Sequence, residues 1–188
     1  MKLRLLSIAA ALLAASTSST ALAQIGIYGK FSGVHLPSSV ATSSYASGWF
    51  KGPGGGVYFN LVHLGPISLG GDVRGDYLYQ SSQHYRDLLL GVRIGAKAPL
   101  IPIRPYVQFS AGLGGSSRLV FNGNTFHTVN TSKFQYWIIG GIDHTVLPHI
   151  DWRVVDLGYG HMAGTSGGVS VSGANMFTLG TGVVVRLP

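Results

Sequence analysis

His161 and Ser166 lie five positions apart in Gly160-His161-Met162-Ala163-Gly164-Thr165-Ser166, and a base near a hydroxyl is the beginning of acyl-transfer chemistry. A working nucleophile also needs a third group behind the base, and the chain has no Glu to provide it. Catalysis at His161 is therefore kept only as an alternative. The other histidines are His35, His63, His84, His127, His144 and His149. None shows tight ligand spacing and there is no Cys, so no metal or cofactor is expected. His144 and His149 flank one turn and could at most make a weak surface site. Arg74-Gly75-Asp76 is the remaining candidate. In an exposed loop this tripeptide can dock onto an adhesion receptor; on a strand it is three ordinary residues. Its surroundings decide.

The elements that position these residues begin after an export signal. Lys2 and Arg4 precede an apolar run, Leu5 to Ala15, well short of the ~20 residues a spanning helix needs. Ala21-Leu22-Ala23 then offers a small-x-small cleavage pattern, so residues 1–23 are expected to be removed and 24–188 to form one domain. The sequence carries 13 Lys+Arg against 6 Asp+Glu; without Lys2 and Arg4 that is 11 against 6, or +5. Charged residues make up 10% of the chain and mean hydropathy is +0.31. An average soluble domain is ~25% charged. Yet no later stretch approaches 18 consecutive apolar residues, so no membrane helix follows. An apolar exported chain without spanning helices points to strands that face lipid, and nucleic acid is not an expected partner.

From Gln24 onward the dominant period is two. Ile67, Leu69, Val73, Tyr77 and Tyr79 share one parity; Asp72, Arg74, Asp76 and Leu78 share the other. Successive side chains on a strand face opposite ways, so one face is apolar and the other charged. The same alternation appears over residues 25–36, 54–63, 87–97, 104–115, 133–145 and 175–187. Residues 150–162 also look like a strand, but Arg153 and Asp156 have opposite parity. Either a bulge resets the register or one of them sits at a membrane interface. The expected connectors alternate too. Leu64 to Pro66, Ala98 to Ile103 and Val146 to His149 are short. Pro37 to Phe50, Gln80 to Arg86, Ser116 to Ser132 and Ala163 to Ala174 are mostly longer. Eight alternating strands with short turns at one end and long loops at the other predict an eight-stranded antiparallel up-and-down transmembrane β-barrel. Tyr28, Trp49, Phe50, Tyr77, Tyr79, Tyr106, Trp137, Trp152 and Tyr159 are the expected interfacial girdle.

The export signal, the eight strands, the string GGIDHTVLPHIDWRVVDLGYG and the ending TLGTGVVVRL resemble small outer-membrane β-barrel proteins of the OmpA/OmpX/opacity type. The resemblance implies an outer-membrane location, with the longer loops outside the cell. It departs at the end, where such barrels carry an aromatic residue and this chain has Arg186-Leu187-Pro188. Lipid-A deacylases are similar around His161, but their pattern has Ser two residues on, where this chain has Ala163.

Within a barrel the candidates fall into two groups. Lys30, Asp72, Arg74, Asp76, Arg93, Lys97 and Arg186 are expected to point inward as a charge network, with Arg93 and Lys97 as partners for the third strand and Lys30 and Arg186 elsewhere around the wall. A charge on the lipid face costs ~2–4 kcal/mol at mid-depth. Lys51, Arg86, Arg118 and Lys133 are expected in or beside the outer loops, where they could meet the phosphates of anionic glycolipid. Asn122-Gly123-Asn124 is a tight-turn signal, so residues 119–129 are expected to form a hairpin above the membrane, suited to a protein partner. The expected role is non-catalytic: envelope integrity, surface interaction, or both, as a monomer. A narrow low-conductance channel is the further alternative, since eight strands leave room only for side chains.

Overall fold

The computed structural model describes residues 24–36, 48–81, 83–121, 126–163, 165–166, 169–170 and 173–187, and the side chains of 116–131 and 164–172 lie outside the description. The expected signal segment also lies outside it. Eight long strands make the body: β1 (Ile25–Leu36), β2 (Gly48–Leu64), β3 (Ile67–Gln80), β4 (Gln83–Ala96), β5 (Ile103–Phe121), β6 (Phe126–Leu147), β7 (Ile150–Met162) and β10 (Ala174–Leu187). Two short strands, β8 (Thr165–Ser166) and β9 (Val169–Ser170), pair with each other between β7 and β10. Each long strand pairs antiparallel with its sequence neighbours, and β1 pairs with β10 to close the barrel. Closure leaves no sheet edge around the body and supplies backbone partners inside hydrocarbon.

Alternation decides which way each side chain points. In β1, Ile25, Ile27 and Phe31 face out while Tyr28, Lys30 and Ser32 face in. Around the circumference Leu88, Leu90, Phe109, Leu113, Phe134 and Phe177 are each more than half exposed. A soluble monomer rarely exposes an apolar patch beyond a few hundred Å². A continuous apolar wall is stable against lipid, and the chain is a transmembrane barrel.

The parity conflict in β7 is a bulge. Its register shifts against β6 between Ile142 and Asp143, and against β10 between Gly180 and Gly182. The extra residue falls at Val154–Val155 and resets the alternation, so both Arg153 and Asp156 are buried inside.

One end of the barrel carries the turn at Gly65–Pro66, residues 97–102, the turn at Pro148–His149, and the start of β1 and end of β10. The other end carries the longer connections, with two corrections to the sequence expectation. No loop spans Gln80 to Arg86: β3 and β4 run on to Gln80 and Gln83, with Ser81 at φ 51° in the turn. Most of Ser116 to Ser132 is strand, because β5 and β6 stay paired up to Phe121 and Phe126. The expected Asn-Gly-Asn turn falls outside the described residues.

The lumen is the core. At the long-loop end it is apolar: Leu36, Phe50, Leu78, Tyr85, Met162 and Met176 pack together there. Four members of the expected girdle belong inside rather than at an interface. Tyr28, Phe50, Tyr106 and Trp137 are buried, whereas Trp49, Tyr77, Tyr79, Trp152 and Tyr159 face out. Three of the inward rings lie over a glycine on the paired strand: Tyr28 over Gly56, Tyr106 over Gly141 and Trp137 over Gly160. Tyr58 covers Gly26 in the same way. A missing side chain on one strand makes room for a large ring from the next.

Candidate functional site

All six acidic side chains of the sequence point into the lumen, and each has partners there. Lys30 Nζ lies 2.9 Å from Asp76, which also accepts from Ser32 at 3.2 Å. Arg74 Nη2 lies 2.9 Å from Asp156, and Tyr106 donates to the same carboxylate at 2.6 Å. Asp72 accepts from Tyr28 at 3.0 Å and from Gln108 at 2.7 Å. Asp143 joins Arg93 at 2.8 Å and Arg153 at 2.9 Å. Arg186 lies 2.8 Å from Asp151. Asp87 accepts from the Asp76 backbone N–H at 3.0 Å and from Tyr85 at 3.2 Å. The guanidiniums stack as well as pair. Arg93 sits 4.0 Å from the Tyr58 ring and 3.9 Å from Tyr106, and Arg153 sits 4.1 Å from Tyr28. Buried charge is tolerated best when paired and hydrogen-bonded, and most of these charges are both; Asp87 is hydrogen-bonded without an ion pair, and Arg186 and Asp151 are paired without hydrogen-bond geometry.

Lys30, Asp72, Arg74, Asp76, Arg93 and Arg186 are buried in this network. Lys97 is not: it is exposed and lies past the end of β4, where the wall no longer encloses it. Of the expected partners of β3, Lys30 does meet Asp76, but Arg93 pairs with Asp143 instead and Lys97 lies outside the wall. Adjacent strands hold inward side chains side by side, and the carboxylates and guanidiniums reach across the lumen instead. Arg74 meets Asp156 of β7, and Asp76 meets Lys30 of β1. Asp143, Asp151, Arg153 and Asp156 complete the network. The Arg153–Asp156 parity conflict was the available signal for β7, but it could not say which residue faced inward.

Arg74-Gly75-Asp76 is interior, with Arg74 at 1% and Asp76 at 7% exposure. The chain has no Cys, so a single thiol can report on this. Asp76→Cys in folded protein is expected to resist maleimide, while Ser81→Cys at the turn labels readily. Equal labelling would return the tripeptide to the surface.

With every acid inside, the outer wall and the loops hold no acidic side chain. Lys51 and Arg86 lie on β2 and β4, exposed on the outer face near the long-loop end. Between them Tyr77, Tyr79 and His84 form an aromatic group with ring centroids 5.0–5.8 Å apart. Lys51 pairs in register with Tyr79, and Arg86 with Tyr77. Lys133 is half-buried on the inward parity of β6. Arg118 lies on β5, and its side chain is outside the description. Above the barrel β5 and β6 continue as a ribbon. Beyond Phe134, whose carbonyl accepts from the Ala163 backbone N–H at 2.8 Å, β6 has β5 as its ladder partner among the described residues.

His161 faces out from β7, half-buried. Its Nδ1 lies 2.8 Å from Asn175 Oδ1, and its ring lies 5.5 Å from that of Tyr136. The group behind the imidazole is a neutral amide. Ser166 lies on β8, with its side chain outside the description. Among the described residues no three metal-binding side chains come together.

No family model matches the chain, and no curated protein matches its sequence. Solved structures match its fold. Neisserial surface protein A aligns with a TM-score of 0.56 at 17% identity, covering 87% of this chain and 97% of that one. Ail, the attachment invasion locus protein of Yersinia pestis, aligns with a TM-score of 0.51 at 12% identity, covering 88% and 97%. At these identities the likeness is one of fold: the chain has the architecture of small eight-stranded outer-membrane barrels.

Proposed function

We propose that this chain is a non-catalytic outer-membrane barrel, with its long-loop end outside the cell, that serves envelope integrity and surface contact. The observation that carries this reading is the segregation of charge. All six acids lie in the lumen, while Lys51 and Arg86 stand exposed on the outer wall at the long-loop end. Cations on a wall without carboxylates favour an anionic surface, and outer-leaflet glycolipid presents phosphates at that level. The β5–β6 ribbon, whose β6 side has no further ladder partner among the described residues, is the proposed site for a protein partner.

The test is lipid retention. Membranes extracted in mild detergent are expected to yield barrel carrying glycolipid, and 0.5 M salt is expected to strip part of it. Lys51→Glu with Arg86→Glu should lower retention at least tenfold, since each reversal removes and then opposes an attraction of ~1 kcal/mol. Retention unchanged by charge reversal would overturn the reading.

The His161–Asn175 contact supports one second reading, a lipid deacylase on the outer wall. Deacylation of outer-membrane lipid by the pure protein, lost in His161→Ala, would establish it. The expected result is no deacylation by either protein. The packed, paired lumen argues for a plug rather than a channel.

A further inference from the structure

We infer that Lys51 heads a lipid-binding groove on the outer wall, built to take one acyl chain and the phosphate of an outer-leaflet glycolipid. This inference rests on the outer-membrane orientation proposed above and names a site for the lipid contact. The groove is open on its outer side and measures about 560 Å³ across β2, β1, β10 and β7. That is within the range of ligand sites, roughly 300–1,000 Å³.

Two features of the sequence create it. Gly33 pairs with Lys51 on one side and Leu179 on the other, so a rank of outward side chains is missing one member. The β7 bulge then displaces Val154 and Val155 from the regular rank at the far side, and both line the groove. The polar atoms of the bulge are satisfied locally. Thr181 donates to the Arg153 carbonyl at 2.8 Å and accepts from Trp152 Nε1 at 3.2 Å. Phe31 and Leu179 present hydrocarbon, and Lys51 is the one charged residue among those lining the groove.

The occupant follows from charge and shape. An ammonium on a lipid-facing wall needs a counter-charge or water, and no acidic side chain shares that wall. Lys51 lies level with Tyr79 and one outward position below Trp49, which places it in the aromatic belt at headgroup depth. The exposed rings of Trp49 and Tyr79 flank the cation and suit a sugar face. Acyl chain, phosphate and sugar together describe a phosphorylated glycolipid.

The protein would be refolded into phosphatidylcholine vesicles containing either a bisphosphorylated acyl glucosamine disaccharide or phosphatidylglycerol. Lipid retained per barrel after mild-detergent extraction would be measured by mass spectrometry. Gly33→Leu fills the groove; its Cβ meets the Trp49 ring edge at 3.2 Å, and heat-dependent gel mobility checks that this variant is folded. Lys51→Gln is expected to lower glycolipid retention about fivefold, and Gly33→Leu to lower it further. Lys97→Gln at the opposite end is expected to match wild type. Wild-type retention in both Lys51→Gln and Gly33→Leu, with loss in a variant lacking Arg86, Arg118 and Lys133, would overturn the groove but leave the cationic rim standing. No glycolipid retention by wild type would overturn both. Equal retention of phosphatidylglycerol would overturn the assignment to glycolipid.

Discussion

Asp156→Ala is expected to lower the stability of the folded barrel by about 3–5 kcal/mol, the cost of leaving buried charge without its partner. Asp156 has no exposure and is where three groups meet. Arg74 lies at 2.9 Å, Tyr106 donates at 2.6 Å, and Arg153 Nη1 lies at 3.5 Å. Deleting the carboxylate leaves two guanidiniums facing each other in a closed lumen, with Asp72 and Asp143 as the anions still beside them. Urea unfolding in vesicles, followed by gel mobility, measures the loss. A companion variant separates missing charge from missing volume. Arg74→Met combined with Asp156→Leu removes the pair and refills the space, and is expected to fall much closer to wild type. A single variant as stable as wild type would mean that the lumen is open to water.

Gly141→Val is expected to cost about 1–3 kcal/mol or more, the usual range for overpacking a filled interior. A Cβ there would lie 2.5 Å from Tyr106 Oη and 2.6 Å from the Val155 carbonyl oxygen. The ring can tilt away, but the carbonyl belongs to the bulge and cannot. Tyr106 would then lose its place beside Asp156 and over Arg93. The two substitutions thus act on one cluster, and their effects should not add. Gly29, whose Cβ would meet nothing within 4 Å, is the control. Gly29→Val should be tolerated, and equal damage at both positions would contradict the ring-over-glycine packing.

Alternation made the wall readable from sequence. Each of Leu88, Leu90, Val92 and Ile94 faces lipid, as the period of two requires, because a barrel wall has only two sides. The pairing inside the lumen was not readable in the same way. Parity put Arg74 inside, but its partner Asp156 lies 82 positions away on the far wall, and register across a lumen is not a local property. Lys97 shows a different limit. It keeps the inward parity of β4, but the strand ends at Ala96, and parity carries no information past a strand end. Tyr106 and Trp137 were misplaced for a third reason. Nearness to a strand end suggests a girdle, but Tyr106 and Trp137 share the inward parity of Gln108 and Gln135, and Gly141 and Gly160 on the next strand make room for their rings. The groove at Lys51 depends on a glycine in the same way, with a bulge at its far side. The bulge was visible only as a conflict between Arg153 and Asp156.

The most direct test of the whole account is the gel migration of the outer-membrane fraction in detergent, boiled and unboiled. A closed barrel with a paired interior is expected to sediment with outer membrane and to run at a different apparent mass until heated. A protein found in the soluble periplasmic fraction, with one mobility at every temperature, would contradict the barrel, the membrane and the site at Lys51 together.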